Sequence, residues 1–242
     1  MTYRSRCSRL FFALAFSCSL TACASFPSQS YNKQANKNLH IIAIAPIGMP
    51  EKPTVVIVNA LGNSFGVIGS LVEATRASAA TNEAVAELAA GNLDYKTYLP
   101  AQIDGSLKAQ GFETQILTGG RPENAATKFL AVLPDAPGAD AVLDTYVSFL
   151  GYAAADARTP YRPAVHIEAR LTDIKTNKIL FADQIYYNNF VPAAAKTAIT
   201  IEPDSKAVFA DRAAMKAAPP DVANALRVAI DAVSNQLAQQ FK

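Results

Sequence analysis

The chain has 242 residues, a formal net charge of +2, three cysteines and no tryptophan; half is hydrophobic and 17% is charged. It is too apolar for a disordered chain, sized for a single core, and too near neutrality for a nucleic-acid-binding footprint. Because all three cysteines lie at Cys7, Cys18 and Cys23, a disulfide framework and a zinc–thiolate site are excluded from Ala24 onward.

The N-terminal 23 residues read as an address. Arg4, Arg6 and Arg9 form a positive region, and Leu10–Leu20 (LFFALAFSCSL) is an apolar stretch too short to remain as a membrane span. Leu20-Thr21-Ala22-Cys23 follows and resembles the lipobox of bacterial lipoproteins: an aliphatic residue, two small residues, then the cysteine that takes the lipid. The alternative is an ordinary secretory signal with Cys23 incidental. The resemblance implies a diacylglycerol thioether and an acylated amine on Cys23. Several acyl chains anchor stably where one does not. Ala24 stands where an inner-membrane lipoprotein typically has Asp, which implies the periplasmic face of the outer membrane. Loss of residues 1–22 removes three of the 22 basic residues and none of the 20 acidic ones, so the mature net charge is 19 − 20 = −1.

Residues 23–38 are expected to be the lipidated cysteine and a flexible tether, with Ala24–Asn38 spanning roughly 20 Å. Residues 39–242 are expected to form a single periplasmic domain. Leu39–Ile47 reads as a buried strand and Thr54–Asn59 as a second. The Ala/Glu content predicts a helix from about Leu71 to Ala90. Tyr98–Gly111 reads as a helix with Pro100 in its first turn, Leu99, Ile103 and Leu107 on one face, and a left-handed stop at Gly111. Phe112–Leu117 is a strand candidate and Arg121–Leu133 a weaker helix.

Ala141–Tyr152 is an apolar strand. In Ala164–Ile174 the alternation puts Val165, Ile167, Ala169 and Leu171 on one face and His166, Glu168, Arg170 and Thr172 on a polar one, the pattern of a half-buried strand. The Asp173–Lys178 turn joins it to Ile179–Tyr187 as a hairpin. Pro192–Pro220 reads as irregular, with a short helix near Val208–Lys216. Asp221 is expected to cap a last helix whose stripe is Val222, Leu226, Ile230, Val233, Leu237 and Phe241. The fold class is α/β (α+β): a mixed sheet of about five or six strands with packed helices and a C-terminal helix.

Residues 107–117 (LKAQGFETQIL) and 171–187 (LTDIKTNKILFADQIYY) carry a wider resemblance. They are similar to periplasmic lipoprotein domains related to the amino-terminal domain of TolB, the curli-secretion lipoprotein and the lipoproteins that activate peptidoglycan synthases. Asn177 stands where glycine is usual, and asparagine also tolerates the left-handed conformation. The segment of about residues 50–91 departs from that pattern as an insertion. The resemblance implies an envelope scaffold, secretion or activator role rather than catalysis, and it transfers no functional residue.

Three features compete for chemistry. Gly62-Asn63-Ser64-Phe65-Gly66 matches the nucleophile elbow of serine hydrolases, with His166 as base and Asp144 as acid. His166 lies mid-strand rather than on a loop, which weighs against it. The same glycines, Gly62, Gly66 and Gly69, form a small-residue face for contact or oligomerisation, and the charge-free stretch Thr54–Val72 is near a membrane span in length. The third reading is a strand, turn and helix packed in the core. Two separated histidines, His40 and His166, give no metal-ligand spacing, and no cofactor signature is present. The expectation is a non-enzymatic lipoprotein held to the membrane through Cys23, with an envelope protein partner, a possible homo-oligomer and no nucleic acid. A lipid-anchored esterase and an oligomeric membrane-inserting component are the alternatives.

Overall fold

The structure is a computed structural model, which describes residues 26–58, 79–156, 158–190 and 197–242. Among them are seven strands and four α-helices. In chain order these are β1 (Ile41–Ile44), β2 (Thr54–Ile57), α1 (Ala79–Ala90), α2 (Tyr95–Ala109), β3 (Glu113–Ile116), β4 (Ala141–Ala154), β5 (Arg162–Asp173), β6 (Ile179–Tyr187), β7 (Ile199–Ile201), α3 (Arg212–Ala217) and α4 (Pro219–Gln239). The mixed sheet runs β3-β1-β4-β5-β6-β7, with β2 also on β4. The expected α+β class with a C-terminal helix is what the chain adopts.

β4 organises the sheet. Its 14 residues are long enough for β1 to pair in parallel near its start and β2 near its end, so two short strands share one edge. Between them Gly48 bridges Tyr146, where a Cβ would meet the Ala126 carbonyl oxygen at 2.5 Å and Tyr146 Cβ at 2.8 Å. The other edge of β4 pairs antiparallel with β5, and the register slips between Val147 and Phe149.

α4 covers one face of the sheet. Val222, Leu226, Ile230, Val233 and Leu237 are fully buried against Leu143, Val165, Ile167, Leu171 and Ile185, as the helical stripe predicted. Burial of each such side chain is worth about 1.5–3 kcal/mol, which is why a 21-residue amphipathic helix stays docked. Phe241 closes the stripe against the Phe181, Phe112 and Tyr31 rings. α4 begins earlier than expected, at Pro219. Prolines at the first two positions lack only N–H groups that have no helical partner there, and no side chain caps this end. Asp221 therefore sits inside the first turn, where its charge meets the positive end of the helix.

α2 also starts before its predicted position, because Asp94 accepts from the Lys96 N–H and caps it. Pro100 consequently lies inside the helix rather than in its first turn. The stop at Gly111 is as expected: φ is +94°, the Gly111 N–H bonds the Lys108 carbonyl at 2.9 Å and the Phe112 N–H bonds Leu107 at 3.2 Å. Asn177 takes a φ of 55° in the β5–β6 hairpin, whose turn is tied by Asp173 Oδ1 accepting from the Thr176 N–H at 2.7 Å.

Four segments differ from expectation. Arg121–Leu133 is a loop with one 3₁₀ turn, Glu123–Ala125, and the short strand β7 lies within the stretch read as irregular. Residues 26–38 are not a free tether. The Gln29 N–H and carbonyl pair with Ala182, Ser28 Oγ donates to Asp183 at 3.1 Å, and the Tyr31 ring packs on Phe241. Within the expected insertion of residues 50–91, β2 joins the sheet and Ala84 and Leu88 of α1 are buried in the main core, so its described parts belong to the domain.

Candidate functional site

The second face of the sheet holds the charged chemistry of the domain. Strand alternation sends Asp144, His166, Glu168, Arg170, Thr172, Gln184 and Tyr186 to this side. The expected polar, half-buried face of β5 is in fact covered: His166, Glu168 and Thr172 are all at most 3% exposed. The Arg121–Leu133 loop covers one end and Phe190 the other.

Arg121 fastens the loop. Its Nε donates to the Ala125 carbonyl at 2.7 Å and its Nη2 to Lys128 at 2.6 Å. Nη1 donates to the Pro46 carbonyl at 2.8 Å, to Asp144 Oδ1 at 2.8 Å and to the Thr145 carbonyl at 3.3 Å. The second Asp144 oxygen accepts from the Leu130 N–H at 2.7 Å and Arg170 Nη2 at 3.2 Å. Arg170 also lies over the Phe129 ring, 4.6 Å from its centroid. Two carbonyls of the loop, those of Ala125 and Lys128, are thus held by a planar guanidinium fork, and the Leu130 carbonyl by Arg170.

Further along, Glu168 Oε1 accepts from the Tyr186 hydroxyl at 3.0 Å and Gln184 Nε2 at 3.4 Å, while Oε2 has no partner. Burial pushes this carboxyl up to about 7 against the pull of its hydrogen bonds. His166 is stacked between the Tyr186 and Phe190 rings, at 4.1 Å and 4.9 Å. Its Nε2 donates to the Asn188 carbonyl at 3.0 Å, and burial drives its pKa down to about 4, leaving it neutral.

These two groups oppose one another in pH linkage. Between about pH 4.5 and 7 folded Glu168 keeps a proton that the unfolded chain releases, so its contribution to stability falls as pH rises. Between about pH 4 and 6.5 unfolded His166 takes a proton that the folded ring refuses, so its contribution rises. Glu168→Gln removes only the falling limb. Its stability relative to wild type is expected to increase across pH 4.5–7 by about 1 kcal/mol per pH unit, measured by urea denaturation at each pH. A constant difference would show that Glu168 is ionised throughout.

The Asp144–His166 pair of the esterase alternative is not assembled. Asp144 and His166 pair with Arg170 and Phe149 at separated points of the β4–β5 ladder, and both carboxylate oxygens of Asp144 are engaged by arginines and a backbone amide. Asp144 therefore does not orient His166. Ser64 lies outside the described residues, as do Cys23 and the candidate contact glycines Gly62, Gly66 and Gly69. Of Thr54–Val72, Thr54–Ile57 form β2 and pair within the sheet, so those four residues belong to the domain; residues 59–72 lie outside the described residues. Among the described residues no helix is long and apolar enough to cross a membrane, and no three His, Cys, Asp or Glu side chains gather as a metal site. His40 is exposed at the chain's approach to β1, where its backbone N–H is bonded by Asp140 at 2.8 Å.

The sequence reading missed Arg121 as the organiser of this face. The available signal was an arginine set between Gly119-Gly120 and Pro122, at the start of the segment.

Beside the arginine pair lies an open groove of about 620 Å³, lined by the loop from Leu130 to Ala136, by Val142, Arg170 and Thr172, and by Ile174, Asn177 and Ile179 around the β5–β6 hairpin. Val132, Ile174 and Ile179 on its rim are exposed aliphatic side chains, at 83%, 39% and 39%.

No family model and no curated protein matches the chain. Solved structures with some likeness include protein XCC0632 from Xanthomonas campestris, at 10% identity and a TM-score of 0.41 over 90% of this chain and 89% of that one. The PelC dodecamer from Paraburkholderia phytofirmans is 14% identical, with a TM-score of 0.31 over 65% and 72%. Lipoprotein GNA1162 from Neisseria meningitidis is 16% identical, with a TM-score of 0.30 over 60% and 78%. None of the three is named as an enzyme. Likeness at this level concerns the path of the backbone and does not carry function.

Proposed function

We propose that the chain is an outer-membrane lipoprotein, anchored through Cys23 on the periplasmic face, whose α/β domain is a non-enzymatic binding or assembly module for envelope proteins. The observation that carries the reading is the Leu20-Thr21-Ala22-Cys23 sequence behind a charged and then apolar leader. The domain supports it from the other side. Phe26, three positions after Cys23, packs on Phe129, and the buried charges Arg121, Asp144 and Arg170 are arranged to hold a loop in place. The resemblance of residues 107–117 and 171–187 to secretion and activator lipoproteins points to the same role.

Cys23→Ala is expected to abolish lipidation and release the protein from the membrane fraction. The measurement is fractionation of envelopes with metabolic labelling by a palmitate analogue. Membrane retention of the unlabelled variant would show that another segment is the anchor. Partner binding is tested by in vivo crosslinking and mass spectrometry on the wild-type protein; recovery of monomer alone would overturn the assembly role.

A further inference from the structure

The Cys23 reading implies which side of the domain meets the bilayer. Two residues, Ala24 and Ser25, separate Cys23 from Phe26, and three extended Cα steps reach about 10 Å. Phe26 is fixed: its ring lies 6.0 Å from that of Phe129, immediately before the groove-lining Leu130. Gln29 Nε2 donates to the carbonyl of Ile179, on the groove rim, at 2.6 Å. The chain thus enters the domain along the groove with the exposed aliphatic rim.

Single exposed aliphatic residues are ordinary on a protein surface. Three around one groove, at the point of entry from an acylated residue, are a patch with a stated neighbour. Charged side chains of both signs stand beside it. Lys128, Lys175 and Lys178 are exposed. Of the nearby acids, Asp140 accepts from the His40 and Ile41 N–H groups and Asp173 from Thr176, while Asp135 is exposed. The patch is near neutral overall, so its affinity for a bilayer rests on the aliphatic side chains, with the long lysine stems able to reach the headgroups.

We infer that the face bearing Val132, Ile174 and Ile179, flanked by Lys128, Lys175 and Lys178, rests on the phospholipid surface that holds the Cys23 anchor, its aliphatic rim entering the headgroup–acyl boundary. This inference rests on the lipidation of Cys23. The α4 side of the domain, where Val228 is 41% exposed, then faces the periplasm and is the side open to partners.

The mature chain has no other cysteine, so Val132→Cys and Val228→Cys each supply one thiol for a fluorophore. The full-length variants are matured in a lipoprotein-processing host, purified and reconstituted in vesicles of phosphatidylethanolamine and phosphatidylglycerol carrying a chain-brominated quencher. Quenching at Val132→Cys is expected to exceed that at Val228→Cys by about threefold or more, with a blue-shifted emission, because only a label within about 5–10 Å of the acyl boundary meets bromine. Intact mass reports lipidation separately. An unlipidated mature chain would overturn the anchor reading and this inference with it. A lipidated chain with equal or absent quenching at the two positions would overturn the orientation alone.

Discussion

Asp144→Ala is expected to cost about 3–5 kcal/mol of folding stability, the range for removing one partner of a buried ion pair. The Asp144 carboxylate is fully buried and lies between Arg121, whose side chain is only 6% exposed, and Arg170. Without it two guanidinium groups face each other over the sheet with no counter-charge, and the Leu130 N–H loses its acceptor. The loss should be local before it is global. The Arg121–Leu133 loop, held by no ladder of its own, is expected to become a site of rapid proteolysis in the variant while the α4 core remains protected. Urea denaturation with limited proteolysis checks both parts. Asp144→Asn keeps the shape and one acceptor oxygen and should fall between wild type and alanine. A variant as stable as wild type would show that the arginines are satisfied by carbonyls alone.

Gly151→Ala is expected to be nearly as damaging, by about 3 kcal/mol or more, for a backbone reason. Gly151 has a φ of +148°, and a Cβ there would stand 1.9 Å from the Thr54 carbonyl oxygen and 2.7 Å from the Thr54 nitrogen. Thr54 is its partner in the parallel β2–β4 ladder, so the methyl group occupies the place of the neighbouring strand. β2 must move off, exposing Val55 and Val56, which are 5% and 3% exposed. Hydrogen exchange at residues 55–57 reads that detachment directly. Gly105→Ala is the control of opposite sign: a Cβ at Gly105 in α2 meets nothing within 4 Å, and alanine in a helix interior stabilises by roughly 0.5–1 kcal/mol. If Gly151→Ala were equally benign, β2 would not be held at the distance described.

Local periodicity made much of this fold legible. The α4 stripe, the Gly111 stop and the Asn177 hairpin are each set by residues a few positions apart, so side-chain spacing and left-handed tolerance suffice to read them. Asp221, by contrast, was misplaced as a cap. A proline pair can open a helix with no side-chain cap, and nothing local distinguishes the two starts. The alternation in β5 assigns the right faces but not their burial, because whether a polar face is covered depends on residues far along the chain, the Arg121–Leu133 loop and Phe190.

The candidate site divides in the same way. The proposed address at Cys23 rests on a short linear motif, so no tertiary structure is needed to propose it. The His166–Asp144 pairing could be judged only in three dimensions: both residues lie on the same sheet face, but the antiparallel register sets Asp144 against Arg170, leaving His166 to two aromatic rings. Sequence by itself determined most element types, though not the Arg121–Leu133 loop or β7, and the stripe that packs α4. Tertiary structure decided the partners of each buried charge, the binding of residues 26–38 to the sheet and the face the chain enters by, because these depend on contacts between residues far apart in the chain, which no local pattern encodes.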